Sequence, residues 1–317
     1  MTISGEPAMP AEPDRRAIGI DIGGTKIAVA AVDGQGAIRA STELATEAEL
    51  GFDRAIGRMV EAADRVLAEA GWTRRELCGV GVGCAGPVSA ERGVINNPYT
   101  LPTWVECDIV GRLRAIFDRP AYLENDADAA ALGETFAGSA RGCSRMVMLT
   151  FGTGVGGGAV IDGRVYRGTQ GEHPELGHIP VDRAGPACYC GTSGCLESIA
   201  SGSAIAAAGR SAGFADSREV FLQAARDNPA ARAIVERVER ALQSASWTIL
   251  HTFMPELIVL GGGVMDEHYE LLAPAVAGQL PLATMVPPGG TCVVKAGLSN
   301  RAGLVGAASL ALLGERG

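Results

Sequence analysis

From Ala17 the chain alternates apolar runs with a glycine-rich break: A-I-G-I-D, then I-G-G-T-K, then I-A-V-A-A-V. Two short apolar runs around such a break predict a β-hairpin whose loop carries Gly23, Gly24, Thr25 and Lys26, with a turn at Asp33-Gly34 closing the second strand. The plan recurs from Met146 as M-V-M-L-T, F-G-T-G-V-G-G and G-A-V-I, with Asp162-Gly163 at the turn. In both copies the last residue of the first strand, Asp21 or Thr150, stands twelve positions before the aspartate of the turn. An internal repeat of this size predicts two related α/β domains, each opening on a hairpin.

Between the copies, Ile56, Met59, Val60, Ala63 and Leu67 have helical spacing. A short apolar strand from Cys78 runs into a turn at Gly86, and the proline-containing segment 96–104, N-N-P-Y-T-L-P-T-W, reads as a loop. A-Y-L-E-N-D-A-D predicts a strand ending at Glu124 and a helix starting near Asp126. Beyond the second copy lie a long amphipathic helix around Ala231 to Phe253, a strand with a glycine turn (E-L-I-V-L-G-G-G-V) and a small-residue helix (G-L-V-G-A-A-S-L-A-L-L). The expected organisation is a disordered leader over 1–16, a small N-terminal α/β domain over 17–121 and a large α/β domain over 122–301. The C-terminal helix, about 302–317, is expected to pack back on the small domain.

Composition narrows the function. The 317 residues exceed one typical domain, and 47% hydrophobic against 20% charged residues supplies a sizeable core. A net charge of −9 argues against a nucleic-acid partner. No apolar run approaches the roughly 18 residues a membrane span needs. The leader has acids and prolines where a signal peptide has an apolar core, so the expected location is cytoplasmic.

Between Glu175 and Glu197 the chain gathers one of its four histidines and three of its eight cysteines. His178, Cys188, Cys190 and Cys195 form a ligand set suited to a closed tetrahedral Zn²⁺. Their spacing, H-x9-C-x-C-x4-C, is not the C-x2-C pair of zinc fingers, and three buried free thiols are the alternative. A disulfide is disfavoured, because Cys188 and Cys190 are too close to pair without strain and nothing indicates export. With four protein ligands no position is left for water, so the zinc would be structural, shaping a loop over 178–195.

Glycine loops after a strand let backbone N–H groups approach phosphate oxygens, since no Cβ intervenes. Two such loops at matching repeat positions point to a nucleotide polyphosphate gripped between two domains. Neither fits G-x-x-x-x-G-K-[ST], so the site is not of the Walker type.

Taken in order, D-I-G-G-T-K-I, L-E-N-D-A, G-T-G-V-G-G-G, E-L-G-H and C-x-C-x4-C-L-E resemble the ROK sugar kinases, from about Ala17 to the end of the chain. The resemblance implies an actin-like, hexokinase-type (ribonuclease H-like) fold of two α/β domains that close on ATP and a hexose. It also implies transfer of the γ-phosphoryl group, with Mg²⁺ screening the charge, usually to the 6-hydroxyl. By the same resemblance Asp126 looks like the catalytic base, whereas the residues alone favour its capping the following helix. Asn125 is similar to the family's sugar-binding Asn, whose amide donates and accepts. Glu175, His178 and Glu197 resemble the residues gripping the far side of the ring, and Gly86 and Thr100 also fall on sugar-facing positions. Asp21, Gly23, Gly24 and Thr25 would face the phosphates, with Asp21 near Mg²⁺, while Lys26 reaches phosphate or solvent. Gly152, Thr153, Gly154, Gly156, Gly262 and Gly263 resemble the family's phosphate and nucleoside contacts. Such kinases are commonly dimers or tetramers.

Some positions depart from the glucose-specific pattern. That pattern has N-P-x-N-L-P-x-W where this chain has N-P-Y-T-L-P-T-W, so Thr100 replaces an Asn. H-P-E-L-G-H, with His173 and Pro174, is similar to ROK fructokinases. C-Y-C-G-T-S-G-C-L-E and the segment at His251 are similar to N-acetylmannosamine kinases. The expected substrate is glucose or a close analogue. The alternatives are N-acetylmannosamine, N-acetylglucosamine or an aminoglucose such as kanosamine, then fructose. A sugar-binding or regulatory protein is the non-kinase alternative. The family's repressors carry a helix-turn-helix ahead of D-x-G-G-T, for which the leader has no room, and a mere sugar binder would be expected to lose Asp126 or a phosphate loop. His251 and His268 read as structural.

Overall fold

The computed structural model describes residues 12–314. The leader expected over 1–16 therefore lies outside the described residues up to position 11, and the expected C-terminal helix does so from 315. The chain forms two compact units. The first takes the residues up to Ser144, Gly158–Pro174 and those from Asn300 on; the second takes Arg145–Gly157 and Glu175–Ser299.

The first unit opens with the antiparallel strands β1 (Arg16–Ile22), β2 (Lys26–Asp33) and β3 (Ile38–Ala45), then helix α1 (Phe52–Ala70) and strand β4 (Gly79–Cys84). A small sheet of β5 (Val88–Ser89), β6 (Val94–Ile95) and β7 (Cys107–Asp108) precedes α2 (Ile109–Phe117), β8 (Ala121–Asn125) and α3 (Asp126–Ala137). The main sheet has the order β3-β2-β1-β4-β8. In α1 the apolar stripe Ile56, Met59, Ala63 and Leu67 is buried in one core with Val29, Val80 and Val82 of the sheet. Each of these side chains larger than alanine contributes roughly 1.5–3 kcal/mol when fully buried.

Strands β1, β4 and β8 run parallel, with Asp21 opposite Gly83 and Cys84 opposite Asn125. Parallel register puts their carboxyl ends on one edge. Asp21 and the Asn125–Asp126 pair, far apart in sequence, therefore meet at that edge.

The remaining elements are β9 (Arg145–Phe151), β10 (Val155–Ile161), β11 (Arg164–Val165), α4 (Glu197–Ala200), α5 (Gly202–Ser211), α6 (Ser217–Ala224), α7 (Pro229–Phe253), β12 (Leu257–Gly261), α8 (Gly263–Ala277), β13 (Cys292–Lys295) and α9 (Ala302–Leu313). Their sheet has the order β11-β10-β9-β12-β13, with β9, β12 and β13 parallel. The strand plan of the first sheet is repeated, as the doubled hairpin motif predicts.

The two hairpin turns differ. Asp162 and Gly163 both adopt positive φ (52° and 77°), the two-residue turn an Asp-Gly pair favours. The first copy does not turn at Asp33-Gly34. Its turn runs from Asp33 to Ala37, with the positive φ at Gly36 (82°), because Asp33 Oδ1 accepts the N–H groups of Gln35 (3.0 Å) and Ala37 (2.9 Å).

Helix α9 belongs to the first unit and packs on β1, β4 and α3. Its small residues permit backbone-to-backbone contact. A Cβ on Gly81 would lie 1.6 Å from the Ala307 carbonyl, and one on Gly306 would lie 1.6 Å from the Ala129 carbonyl. This contact seats α3, whose first residue is Asp126. No helix among the described residues is long and apolar enough to cross a membrane.

Candidate functional site

In the first unit, β8 hands over to α3 at Asn125. Its Oδ1 accepts the N–H groups of Ala127 (2.9 Å) and Asp128 (3.3 Å), so Asn125 is the N-cap. The capping role that the residues alone allowed for Asp126 thus falls to its neighbour, while Asp126 Oδ1 accepts the Ala127 N–H at 2.8 Å. The cap fills both lone pairs of Asn125 Oδ1. Instead of donating and accepting, the amide keeps only Nδ2 for a ligand. Gly86 lies against that group: a Cβ there would be 3.1 Å from Asn125 Nδ2 and 3.6 Å from His173 Nε2.

Asp21, half-buried at the end of β1, is raised to about 7, first by burial and then by the Asp126 charge. Burial and the same two carboxylates push the Cys84 thiol up as well. Lys26 opposes the shift at Asp21, yet its ammonium pairs with Glu43 at 2.8 Å on an exposed face. Two carboxylates crowded in this way form a hard oxygen donor set that suits Mg²⁺.

The shift has a consequence for stability. Well below 3.8 folded and unfolded chains both hold the Asp21 proton, and there is no cost. Between the ordinary 3.8 and about 7 only the unfolded chain ionises, so folding becomes less favourable as pH rises, and the full cost is present above 7. Asp21→Asn is therefore expected to raise the melting temperature at about pH 8 without divalent cations and to raise it progressively less as the pH is lowered toward 4. A difference that does not vary with pH would show that this carboxyl is not destabilised by its surroundings.

Gly23, Gly24 and Thr25 form the first hairpin loop. Thr46 holds it, its hydroxyl donating to the Gly23 carbonyl (2.7 Å) and its N–H to that of Thr25 (3.0 Å). A Cβ on Gly24 would lie 3.4 Å from Thr100 Cβ, so the loop and the exposed Thr100 are neighbours. Buried Asn97 pins Thr100: its Oδ1 accepts the Tyr99 and Thr100 N–H groups at 3.0 Å each, and its Nδ2 donates to Thr100 Oγ1 at 2.6 Å. With one lone pair so occupied, the exposed Thr100 hydroxyl keeps its O–H and a second lone pair.

In the second unit, His178, Cys188, Cys190 and Cys195 bring one donor atom each within 4.8 Å of one another. His178 Nδ1 is 3.4 Å from Cys188 Sγ, and Cys190 Sγ is 3.5 Å from Cys195 Sγ. A tetrahedral zinc with bonds of roughly 2.0–2.3 Å places its donors about 3.6–3.8 Å apart, so the set fits with little movement. Burial pushes the Cys195 thiol up to about 12, and an adjacent cation would make it a thiolate donor at neutral pH.

Glu197, which opens α4 after the last cysteine, accepts the Val155 N–H at 2.9 Å. A Cβ on Gly154 would lie 2.5 Å from the same oxygen, so a larger residue there would push this carboxylate aside. Tyr189 sets its ring edge-on to His178 at 5.0 Å, and burial and Glu197 push its phenol up. Glu175 precedes the turn Leu176–His178, its carbonyl accepting the His178 N–H at 2.9 Å.

A cavity of about 600 Å³ in the same unit is lined by Gly152 and Thr153 of the second loop and by Gly263 at the start of α8, where helix N–H groups favour an anion. Gly262 (φ 85°) approaches the Phe151 backbone so closely that a Cβ would lie 2.6 Å from it. Gly154, Gly156 and Gly262 are not among the cavity's lining residues. Sequence reasoning missed the other wall: Ser203 and Arg210 of α5, Phe221 of α6, and His268. His268 is half-buried and stacks on Phe221 with ring centroids 3.7 Å apart, and burial pushes its pKa down.

A profile of the ROK family matches residues 17–313. The chain belongs to the ROK family. It is 33% identical over 314 residues to a glucokinase of Thermotoga maritima, covering 94% of this chain and 98% of that one. It is 35% identical over 252 residues to an N-acetylmannosamine kinase of Vibrio cholerae, covering 78% and 84%. A crystal structure of a ROK family glucokinase from Streptomyces griseus, in complex with glucose and AMPPNP, matches with a TM-score of 0.73 at 28% identity, over 94% of this chain and 100% of that one. The fold of this ROK protein is accordingly the actin-like, hexokinase-type one, two α/β units on one repeated strand plan.

In the first unit, Asp128 and Arg167 stand outside the ROK motifs read from the sequence, yet they join Glu124 of L-E-N-D-A in one cluster. Glu124 and Asp128, both buried, flank Asn125 and Asp126, and Arg167 pairs with the two of them. The signal was present: E-N-D-A-D puts three acids at a strand-to-helix junction, and buried acids need a cation.

Proposed function

We propose that this protein is an ATP-dependent hexose kinase that transfers the γ-phosphoryl group to the 6-hydroxyl of glucose or a close analogue. The observation that carries the reading is the shared edge of β1, β4 and β8, where Asp21 and Asp126 meet beside the amide of Asn125. In this reading Asp126 accepts the proton of the 6-hydroxyl as its oxygen forms the bond to the γ-phosphorus, and ADP departs as the old phosphoryl bond breaks. Asn125 Nδ2 and the Thr100 hydroxyl donate to the sugar, Gly86 leaves room for it, and Glu175, His178 and Glu197 supply further hydrogen bonds. Gly23, Gly24, Thr25, Gly154 and Gly156 offer backbone to the phosphates. The cavity of the second unit takes the nucleoside against Thr153 and Gly263. Mg²⁺, held through Asp21, would screen the phosphate charge. A structural zinc on His178, Cys188, Cys190 and Cys195 would hold the segment from Glu175 to Glu197 in shape.

An amino sugar is the second reading. It is favoured by the likeness to the N-acetylmannosamine kinase and by Thr100, whose hydroxyl is shorter than the Asn amide of the glucose pattern. Both readings are tested by ADP release with glucose, N-acetylmannosamine, N-acetylglucosamine, kanosamine and fructose at equal concentration. Glucose is expected to lead by about ten-fold or more, the discrimination that one hydrogen bond with a net worth of about 1.4 kcal/mol gives. An amino sugar in the lead would favour the second reading, and a response independent of sugar would overturn the kinase assignment.

A further inference from the structure

Glu124 ends β8 and Asp128 sits in the first turn of α3, so these two acids bracket the junction that carries Asn125 and Asp126. Their side chains are 7% and 0% exposed. Arg167, just beyond β11, places one arm of its guanidinium on each: Nη1 donates to Asp128 Oδ2 at 2.6 Å, and Nη2 pairs with Glu124 Oε2. The other Glu124 oxygen accepts the Asn125 N–H at 2.7 Å. The chain of contacts therefore runs from Arg167 through Glu124 to the backbone of Asn125, and through Asp128 to the helix Asn125 caps.

Asp128 is costly to keep charged. Burial raises it to about 7, Glu124 adds to the rise, and Arg167 and His173 pull it back. Its Oδ1 has no hydrogen-bond partner and faces Gly158, where a Cβ would lie 2.7 Å away. Without the guanidinium, two buried carboxylates would repel each other across the junction, forcing the strand end away from the helix start. A planar fork of fixed geometry sets their separation, whereas an ammonium group would neutralise charge without fixing distance.

We propose that Arg167 is a positioning residue for phosphoryl transfer, holding the end of β8 and the start of α3 at a fixed spacing and so aiming the Asp126 carboxylate and Asn125 Nδ2 at the sugar. The proposal rests on the reading of Asp126 as the base. Neither Glu124, Asp128 nor Arg167 is given a part in the reaction itself.

The test compares Arg167→Lys, which keeps the charge and loses the fork, with Arg167→Met and with the neutralised set Glu124→Gln, Arg167→Met, Asp128→Asn, beside Asp126→Asn. In Arg167→Lys, kcat is expected to fall about ten-fold or more while the KM for ATP stays within about two-fold and the melting temperature is nearly kept. Arg167→Met should lose more activity and also stability. The neutralised set should regain the melting temperature but not kcat. A folded Arg167→Lys enzyme with the parent kcat would overturn the proposal, as would a neutralised set that regains kcat together with stability. An inactive Asp126→Asn beside a fully active Arg167→Lys removes only the positioning role. An active Asp126→Asn enzyme removes the base assignment, and this role for Arg167 with it.

Discussion

Asp126→Asn is expected to lower kcat by about 10²–10⁴-fold, the range associated with a positioned general base, while sugar affinity changes no more than a few-fold. The substitution is close to isosteric, and an amide cannot take the proton of the attacking hydroxyl. What surrounds it is kept: Asn125 still caps α3, and the Arg167 pairs with Glu124 and Asp128 do not involve residue 126. Loss of a negative charge from the first helical turn costs only about 0.3–1 kcal/mol, and removing the repulsion at Asp21 works in the opposite direction. The loss should therefore appear in single-turnover rates and not in the melting temperature or in sugar titrations. Turnover within about ten-fold of the parent would exclude Asp126 as the base.

Cys190→Ser is expected to bring zinc from near one ion per chain to near none, and to raise the KM for the sugar about ten-fold or more. Metal-site geometry is sensitive at this level, since even partners of the ligands typically alter affinity about 10–100-fold. The reasoning is local: the ligand set spans the loop between His178 and Cys195, and Glu197 follows the last ligand by two residues. With one thiolate gone, the loop loses the tie that fixes Glu175, His178 and Glu197 relative to one another. Elemental analysis with kinetics on the same preparation checks it, and unchanged metal content would refute the zinc assignment.

What the sequence disclosed was mostly what short-range pattern can encode. The doubled hairpin was legible because each glycine loop is bounded by apolar runs with the same spacing, and α1 and α7 because their apolar residues recur at the helical period. That His178, Cys188, Cys190 and Cys195 could share one ion was legible from residue type, and their donor atoms do come together. Contacts made by the tertiary fold left weaker traces. Asn125 reads as an amide that donates and accepts, but capping α3 uses its oxygen. Phe221 and His268 carry no motif, and only the packing of α6 against α8 joins them into one wall of the cavity. The turn after β2 went to Gly36 because the Asp33 side chain outweighed the Asp-Gly pair. Strands β5 to β7, two residues each, are too short to show any period.

The seat of the E-N-D segment also has a position in time. Helix α3 rests on α9 through the contact of Gly306 with Ala129, and α9 lies on β1 and β4 through Gly19 and Gly81. A ribosome makes all of the second unit between those two helices, so Asp126 emerges long before its support. Every residue assigned above to binding or reaction is synthesised before the surface that holds Asp126 in place. In a nascent chain, the first unit acquires its completed edge only after α9 has left the exit tunnel.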